Sequence, residues 1–230
     1  MKKNNLFLFV LFWVVLIVDC AFIYSGHNEY RVYTKILLVP ILLVAIYGAS
    51  RDTKHKRSRV LINLAFFFCF LGDVFLLEES DSSYFSFGLA SFLIAHIFFI
   101  IFFYRLKPFT DKYRLYIFSC GLLILTYVLF LLFFVWSNVS RQSLEIPIAA
   151  YAAVLGFMTL TAAHTLNNKS IKHLASNFFI PGAVFFLLSD SLLAINKFSM
   201  PFDFSGIAVM VTYGIAIFLL ATGAIRFLVK

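Results

Sequence analysis

Two aspartates lie inside strongly apolar stretches of the chain, in matching surroundings. Asp73 sits in Phe-Cys-Phe-Leu-Gly-Asp-Val-Phe-Leu-Leu (68–77), and Asp190 in Phe-Phe-Leu-Leu-Ser-Asp-Ser-Leu-Leu-Ala (185–194). An ionisable group at membrane depth costs about 2.5–3.5 kcal/mol, so it marks a functional site by default. Two carboxyls in matched settings point to paired acid/base work: one donates a proton, and the other stays ionised to steady positive charge or activate water.

The elements that must position them are membrane helices. The 230 residues are 62% hydrophobic and 13% charged, with 31 Phe, against about 25% charged in an ordinary soluble domain. A span takes roughly 17–25 mainly apolar residues, and eight such runs occur: 6–24, 32–48, 60–77, 86–104, 115–136, 146–166, 174–195 and 206–228. Spans two and seven carry Pro40 and Pro181, which membrane helices tolerate where neighbours satisfy the freed carbonyl. No segment between spans exceeds about a dozen residues, well short of the ~50 of a domain. The expected fold is therefore an all-α integral membrane protein, one polytopic domain over residues 1–230.

Charge supports this topology. If the spans alternate, one side receives 15 of the 19 Lys and Arg, and the other only Arg31, Lys35, Arg141 and Lys197. The positive-inside rule then places both termini in the cytoplasm. The cluster at 51–59 reads as a loop touching anionic headgroups, so the net charge of +8 does not imply a nucleic-acid partner. Lys2 and Lys3 followed by an apolar core resemble a signal peptide, but no Ala-x-Ala-like site follows and Asp19 precedes Cys20. The first span is expected to stay. Cys20, Cys69 and Cys120 have no metal-ligand spacing and read as small core residues.

Alternation also assigns depth. At about 1.5 Å per residue, Asp73 and Asp190 fall roughly 6–8 Å below the outer boundary, and Tyr151 and Tyr213 about 8–11 Å below it. Asp19 and Lys35 belong to the same outer third, and His96 lies near the middle of span four. Six helices thus deliver polar groups to one layer, where such groups must face one another or water. Gly72 and Ser189, each directly before an aspartate, are small enough to let the two carboxylate-bearing helices approach.

Each residue also has a plainer reading. The aspartates and His96 would serve as hydrogen-bonded struts between helices, Asp19 and Lys35 as snorkelling ends, and the tyrosines as belt residues. His164, near the cytoplasmic end, reads as interfacial, and Glu78, Glu79 and Asp81 as solvated loop charges. The 117-residue separation of the aspartates, with Gly88-Leu89-Ala90 and Gly206-Ile207-Ala208 opening the following spans, suggests two parallel four-helix halves.

Several of these elements together resemble the YhhN-like lysoplasmalogenases. They are Tyr33-Thr34-Lys35, Leu71-Gly72-Asp73-Val74, the run from Gly88 to His96, Pro147 to Tyr151 with Met158, the run from Gly182 to Ala194 containing Ser189-Asp190-Ser191-Leu192-Leu193-Ala194, and Thr212-Tyr213. Ile36 departs from the pattern, which often has proline there. The resemblance implies an eight-span hydrolase that cleaves the vinyl ether bond of lysoplasmalogens to a fatty aldehyde and a glycerophospho-alcohol. It also implies that Asp73, His96 and Asp190 are signature positions.

A vinyl ether hydrolyses by protonation at its β-carbon and capture of the resulting oxocarbenium ion by water. One aspartate is expected to be the neutral donor, with Asp190 favoured because no charged residue lies close to it in sequence. The other is expected to be ionised with help from Lys35, with Tyr151 or Tyr213 orienting water. No cofactor is expected. Zinc takes at least three protein ligands and only His96 lies at a suitable depth, and no Gly-x-Ser-x-Gly elbow supports serine chemistry. The alternative from another class is a proton-coupled carrier of a small molecule or lipid, which also uses paired intramembrane aspartates. The expected partners are the bilayer and a lysophospholipid substrate, and the expected location is a bacterial cytoplasmic membrane.

Overall fold

The computed structural model describes residues 3–78, 82–106, 114–141 and 144–230. Lys2, Glu79, Asp81, Lys107 and Lys112 lie outside the described residues, as do the side chains of Lys3, Arg114 and Arg141. In hydrocarbon every backbone N–H and C=O must be satisfied within the segment, which leaves helices as the answer for long apolar runs. Among the described residues eight long helices follow: α1 (Lys3–Ser25), α2 (Arg31–Ala49), α3 (Lys56–Phe75), α4 (Ser82–Leu106), α5 (Arg114–Arg141), α6 (Glu145–His164), α7 (Ile180–Phe198) and α8 (Ser205–Leu228). All eight are long and apolar enough to cross a membrane. The protein is a multi-pass membrane protein.

The sequence-based spans agree with these helices, with one physical difference in the seventh. There the chain enters through a helical turn at Lys172–Leu174 and a wide π turn at Ala175–Phe179, so Pro181 falls at the first turn of α7. The residues before Pro181 are already helical and the Ile180 N–H donates to the Ala175 carbonyl, so the proline lies within a continuous helical run, next to the π turn that accommodates the donor it lacks. Pro40, by contrast, lies inside α2.

Helices α6 and α8 are the most buried, and α5 is the least, its long apolar flank facing outward. The core is largely aromatic, with Phe66, Phe99, Phe102, Phe103, Phe179 and Phe186 fully enclosed. Phe9, Phe12 and Leu16 tie α1 into it. Neighbour relations repeat between halves. The pairs α1–α2, α2–α3 and α3–α4 have counterparts in α5–α6, α6–α7 and α7–α8, and α4 packs on α6 as α8 packs on α2. The α1–α8 and α5–α7 contacts do not follow this pattern.

Asn5, Ala49, Arg226 and Lys230 line one hollow, so both ends of the chain lie on one face, here the terminal face. The 51–59 cluster is partly structural: Thr53 Oγ1 donates to the Leu228 carbonyl at 2.5 Å, and Arg59 Nη1 donates to the carbonyls of Ser50 and Arg51 at 3.2 and 3.0 Å. It staples the ends of α2 and α8 together, while Arg51, Lys54, Lys56 and Arg57 remain exposed. His164 corrects its sequence reading: it is 1% exposed at the end of α6, enclosed rather than interfacial, because α6 runs through the middle of the bundle.

Candidate active site

At the end of the bundle away from the termini, α3 and α7 present their aspartates to one cavity. It contains about 600 Å³ of space including its mouth, and its wall includes Arg31, Lys35, Asp73, Asp190, Asn196 and Tyr213. A second, mainly apolar pocket, about 460 Å³ of space including its open mouth, lies beside it, lined by Phe85, Leu89, Ile148, Ala194 and Phe198 among others. Four residues belong to both walls: Leu76, Phe92, Asp190 and Leu193. Asp190 is therefore the carboxylate at the junction of a polar and an apolar chamber, and Asp73 borders only the polar one.

Each carboxylate is held by a tyrosine. Tyr213 Oη donates to Asp73 Oδ2 at 2.8 Å, and Tyr151 Oη donates to Asp190 Oδ2 at 2.5 Å. His96, fully buried, sets Nε2 at 3.1 Å from the Tyr151 hydroxyl and 3.6 Å from Asp190 Oδ2. With the Tyr151 proton directed at the carboxylate, the imidazole Nε2 is placed to donate to the phenol oxygen. Asp73 is 2% exposed, whereas the Asp190 side chain retains 16%. Between the two groups stand Phe92 and Phe186, edge-on to Tyr213 with ring centroids 5.9 and 5.5 Å away. Phe186 also meets the His96 ring at 4.7 Å. Rings in edge-to-face contact lock one another's orientation, and so fix the tyrosine and imidazole that hold the acids.

The site follows the repeat in a crossed fashion that the sequence reading did not foresee. The 117-residue offset that takes Asp73 to Asp190 also takes His96 to Tyr213, Gly72 to Ser189 and Phe92 to Val209. His96, on the helix after Asp73, serves Asp190, and Tyr213, on the helix after Asp190, serves Asp73. Each half thus sends a residue to the other half's acid, although the direct hydrogen bond to Asp190 comes from Tyr151 of its own half.

The small residues before the aspartates play a different part from the one their size suggested. They do not bring α3 and α7 together. A Cβ at Gly72 would fall 2.5 Å from the Phe92 ring, so the glycine makes room for α4. Ser189 Oγ donates to the Val209 carbonyl on α8 at 3.1 Å. These are equivalent contacts under the same offset: each acid-bearing helix is seated on its following helix, and the cavity lies between the two pairs. Gly72→Ala is expected to force Phe92 aside, destabilising the protein by about 1–3 kcal/mol as overpacking does. A lowered thermal midpoint in detergent, together with reduced turnover, checks this.

Lys35 departs only from its plainer, snorkelling reading, whereas Asp19 departs from both of its readings. Lys35 Nζ donates to the Leu76 carbonyl at 3.2 Å, on the cavity wall that also carries Asp73. It is 8% exposed and so does not snorkel outward. Asp19 neither snorkels nor joins the cavity. It is fully buried, accepts from Thr34 Oγ1 at 2.6 Å, and lies 3.7 Å from Arg31 Nη2. Burial on α1 against the start of α2 explains both facts, because a buried carboxylate needs a donor and a cation. Glu78 is exposed at the end of the turn after α3.

Arg31 and Asn196 are cavity residues that sequence reasoning missed. Arg31 had counted only as a loop charge, although it precedes Lys35 by one helical turn, the spacing that puts two side chains on one face. Asn196 had no signal beyond its place two turns after Ser189 on the same helix.

The YhhN family model matches residues 30–224. Among curated proteins, the chain is 30% identical to Lysoplasmalogenase TMEM86A of Homo sapiens, over 85% of this chain and 79% of that protein. It is 27% identical to Lysoplasmalogenase TMEM86A of Bos taurus, over 76% of this chain and 68% of that protein. No solved structure matches. Both relatives carry the name of a hydrolase, and neither name supports the carrier reading.

Proposed function

The chain belongs to the YhhN family, and on that footing we propose that it cleaves the vinyl ether bond of lysoplasmalogens, releasing a fatty aldehyde and a glycerophospho-alcohol. The observation that carries this reading is the position of Asp190, in the wall shared by a polar and an apolar chamber. A lysoplasmalogen has one polar and one apolar end, and its reactive bond is where they meet.

In this reading the two acids take different parts in the chemistry. With the alkenyl chain in the apolar pocket and the glycerol in the polar one, the β-carbon of the vinyl ether lies on the chain side, beside Asp190. Asp190 gives its proton to that carbon. The double bond's electrons form the new C–H bond, and positive charge develops on the α-carbon and ether oxygen. Asp73, on the headgroup side with Lys35 and Arg31 in the same wall, stays ionised and steadies that charge. It then takes a proton from the water that attacks the α-carbon. The hemiacetal collapses as its hydroxyl proton returns to Asp190 and Asp73 hands its proton to the departing glycerol oxygen. One water is consumed and both acids regain their starting states. Tyr151 with His96, and Tyr213, keep the two carboxyls in place. Fixed dipoles aimed at developing charge are worth more in a site shielded from water than in solution.

The topology in this reading has both termini in the cytoplasm of a bacterial membrane and the cavity in the outer half of the bilayer, where lysolipid enters sideways. The positive-inside bias supports it.

Purified protein offered lysolipids with vinyl ether, alkyl ether and ester links should release aldehyde from the vinyl ether and leave the other two intact. Fatty acid from the ester, or no aldehyde from the vinyl ether, would overturn the assignment. The chain pocket makes a separate prediction. Ala194→Phe fills its wall beside Phe85 and Phe198, and kcat/KM should fall about tenfold for long alkenyl chains relative to short ones, the size of a lost hydrophobic pocket contact.

A further inference from the structure

We propose that Arg31 is the residue that reads the phosphodiester of the substrate, with Lys35 and Asn196 completing an anion subsite and Asp19 positioning the guanidinium. This rests on the lysolipid reading of the same cavity.

Three observations converge on it. Among the described side chains, the end of the bundle away from the termini carries Arg31, Lys35 and Lys197, and two of these, Arg31 and Lys35, line a single cavity. Lys197, a third, lies instead over the Phe85 ring at 4.3 Å. Arg31 also has a buried counter-ion: Asp19 Oδ2, without a hydrogen-bond partner among the described residues, lies 3.7 Å from Nη2, while Asp19 Oδ1 accepts from the Thr34 hydroxyl at 2.6 Å. The Arg31 Nε, finally, is buried and has no hydrogen-bond partner among the described residues. The fork thus retains donor capacity beyond its contact with Asp19, and Arg presents five donors in a geometry that matches phosphate.

The placement fits the substrate. A lysophospholipid carries its phosphate on the glycerol, a few bonds from the ether oxygen, and the subsite shares a wall with both aspartates. Binding there would draw the glycerol into the polar chamber and set the alkenyl bond against Asp190. Asn196, two turns after Ser189 on α7, offers an amide donor to the same chamber.

The test compares two vinyl ether substrates with the same chain, an alkenyl lysophosphoethanolamine and the corresponding alkenylglycerol, which lacks phosphate. In wild type the ratio of their kcat/KM values should favour the phospholipid. Arg31→Gln should reduce that ratio about 10- to 100-fold, the range of one or two charge-assisted hydrogen bonds. Arg31→Lys should give an intermediate ratio, since it keeps charge but loses the fork. Asn196→Asp, which leaves the Arg31–Asp19 pair in place, should shift the ratio the same way by adding a negative charge near the phosphate. A ratio equal to wild type in Arg31→Gln and Asn196→Asp would overturn the proposal, because a merely structural role would weaken both substrates alike.

A binding measurement keeps this separate from the reaction. The alkyl ether lysophospholipid and the matching alkylglycerol, neither cleavable by this chemistry, should differ in affinity for wild type, and Arg31→Gln should narrow the difference. If wild type fails to cleave vinyl ethers while this binding difference appears, the reaction is wrong and the subsite stands. If cleavage occurs without any binding difference, the subsite is wrong and the reaction stands. Glycerophosphoethanolamine should compete with substrate more strongly than inorganic phosphate. Equal competition by inorganic phosphate would mean a free-phosphate site and overturn the headgroup assignment.

Discussion

Asp190→Asn should lower kcat on a lysoplasmalogen by about 10³-fold or more, within the upper range for loss of a positioned general acid. The amide is nearly the same size as the acid and still accepts the Tyr151 hydroxyl, so the pocket geometry survives. What it lacks is a proton acidic enough to give to carbon. Protonation of an alkene carbon is the hard step of vinyl ether hydrolysis, and no second acid borders the apolar pocket among the residues of its wall. Rate measurement on protein that elutes as a single species and keeps its unfolding midpoint checks this. Turnover within tenfold of wild type would remove Asp190 from the role of donor.

Asp73→Asn should also fall far, by about 10²- to 10³-fold, for a different reason. Here the loss is a negative charge facing an oxocarbenium-like transition state and a base for the attacking water. The effect should appear in kcat with little change in KM, since the charge to be stabilised exists only in the transition state. Asp73 also receives the Tyr213 hydroxyl, an interaction Asn preserves. Tyr213→Phe, which removes the donor while keeping the ring that packs on Phe92 and Phe186, should therefore cost much less than Asp73→Asn. Equal losses in the two variants would mean that Asp73 serves only to anchor α8.

The repeat explains why the two acids can differ while lying in similar sequence. Equivalent positions supply His96 to one and Tyr213 to the other, and the cations Arg31 and Lys35 have no charged counterparts 117 residues on, at Ile148 and Ala152. One acid thus shares a chamber with two cations, and the other borders a chain pocket. An arrangement of paired carboxyls becomes useful when their surroundings separate their protonation states. In the proposed mechanism the two acids take different parts because different groups surround two otherwise matched helices.

Depth was readable in the sequence and direction was not. Span lengths and alternation placed Asp73, Asp190, Tyr151 and Tyr213 in one layer, and the structure joins them into two hydrogen-bonded pairs. The number of long helices was readable for the same reason, since only apolar runs of sufficient length cross a bilayer, but their ends were not: α5 runs on to Arg141 and α7 begins at Ile180. Which way a residue points around its helix could not be read. These helices are apolar almost all round, Phe and Leu facing lipid and core alike, so no polar stripe marks the inner face. Gly72 therefore suggested an approach of α3 to α7, whereas it admits Phe92 of α4. Asp19 shared the layer of the others, yet points to Arg31 and Thr34. Arg31 was obscured by its position: a charge at a span end has a ready explanation as a boundary residue. Its one-turn spacing from Lys35 was the available clue.

The most direct test of the account is to run the reaction on a vinyl ether lysolipid in deuterium oxide and analyse the aldehyde by mass spectrometry. Proton transfer to the β-carbon predicts one deuterium on the carbon next to the carbonyl, with the glycerol oxygen still bound to its original carbon, and loss of this product in Asp190→Asn. An aldehyde without solvent hydrogen at that carbon, or the same labelled aldehyde formed at the wild-type rate by Asp190→Asn, would contradict it.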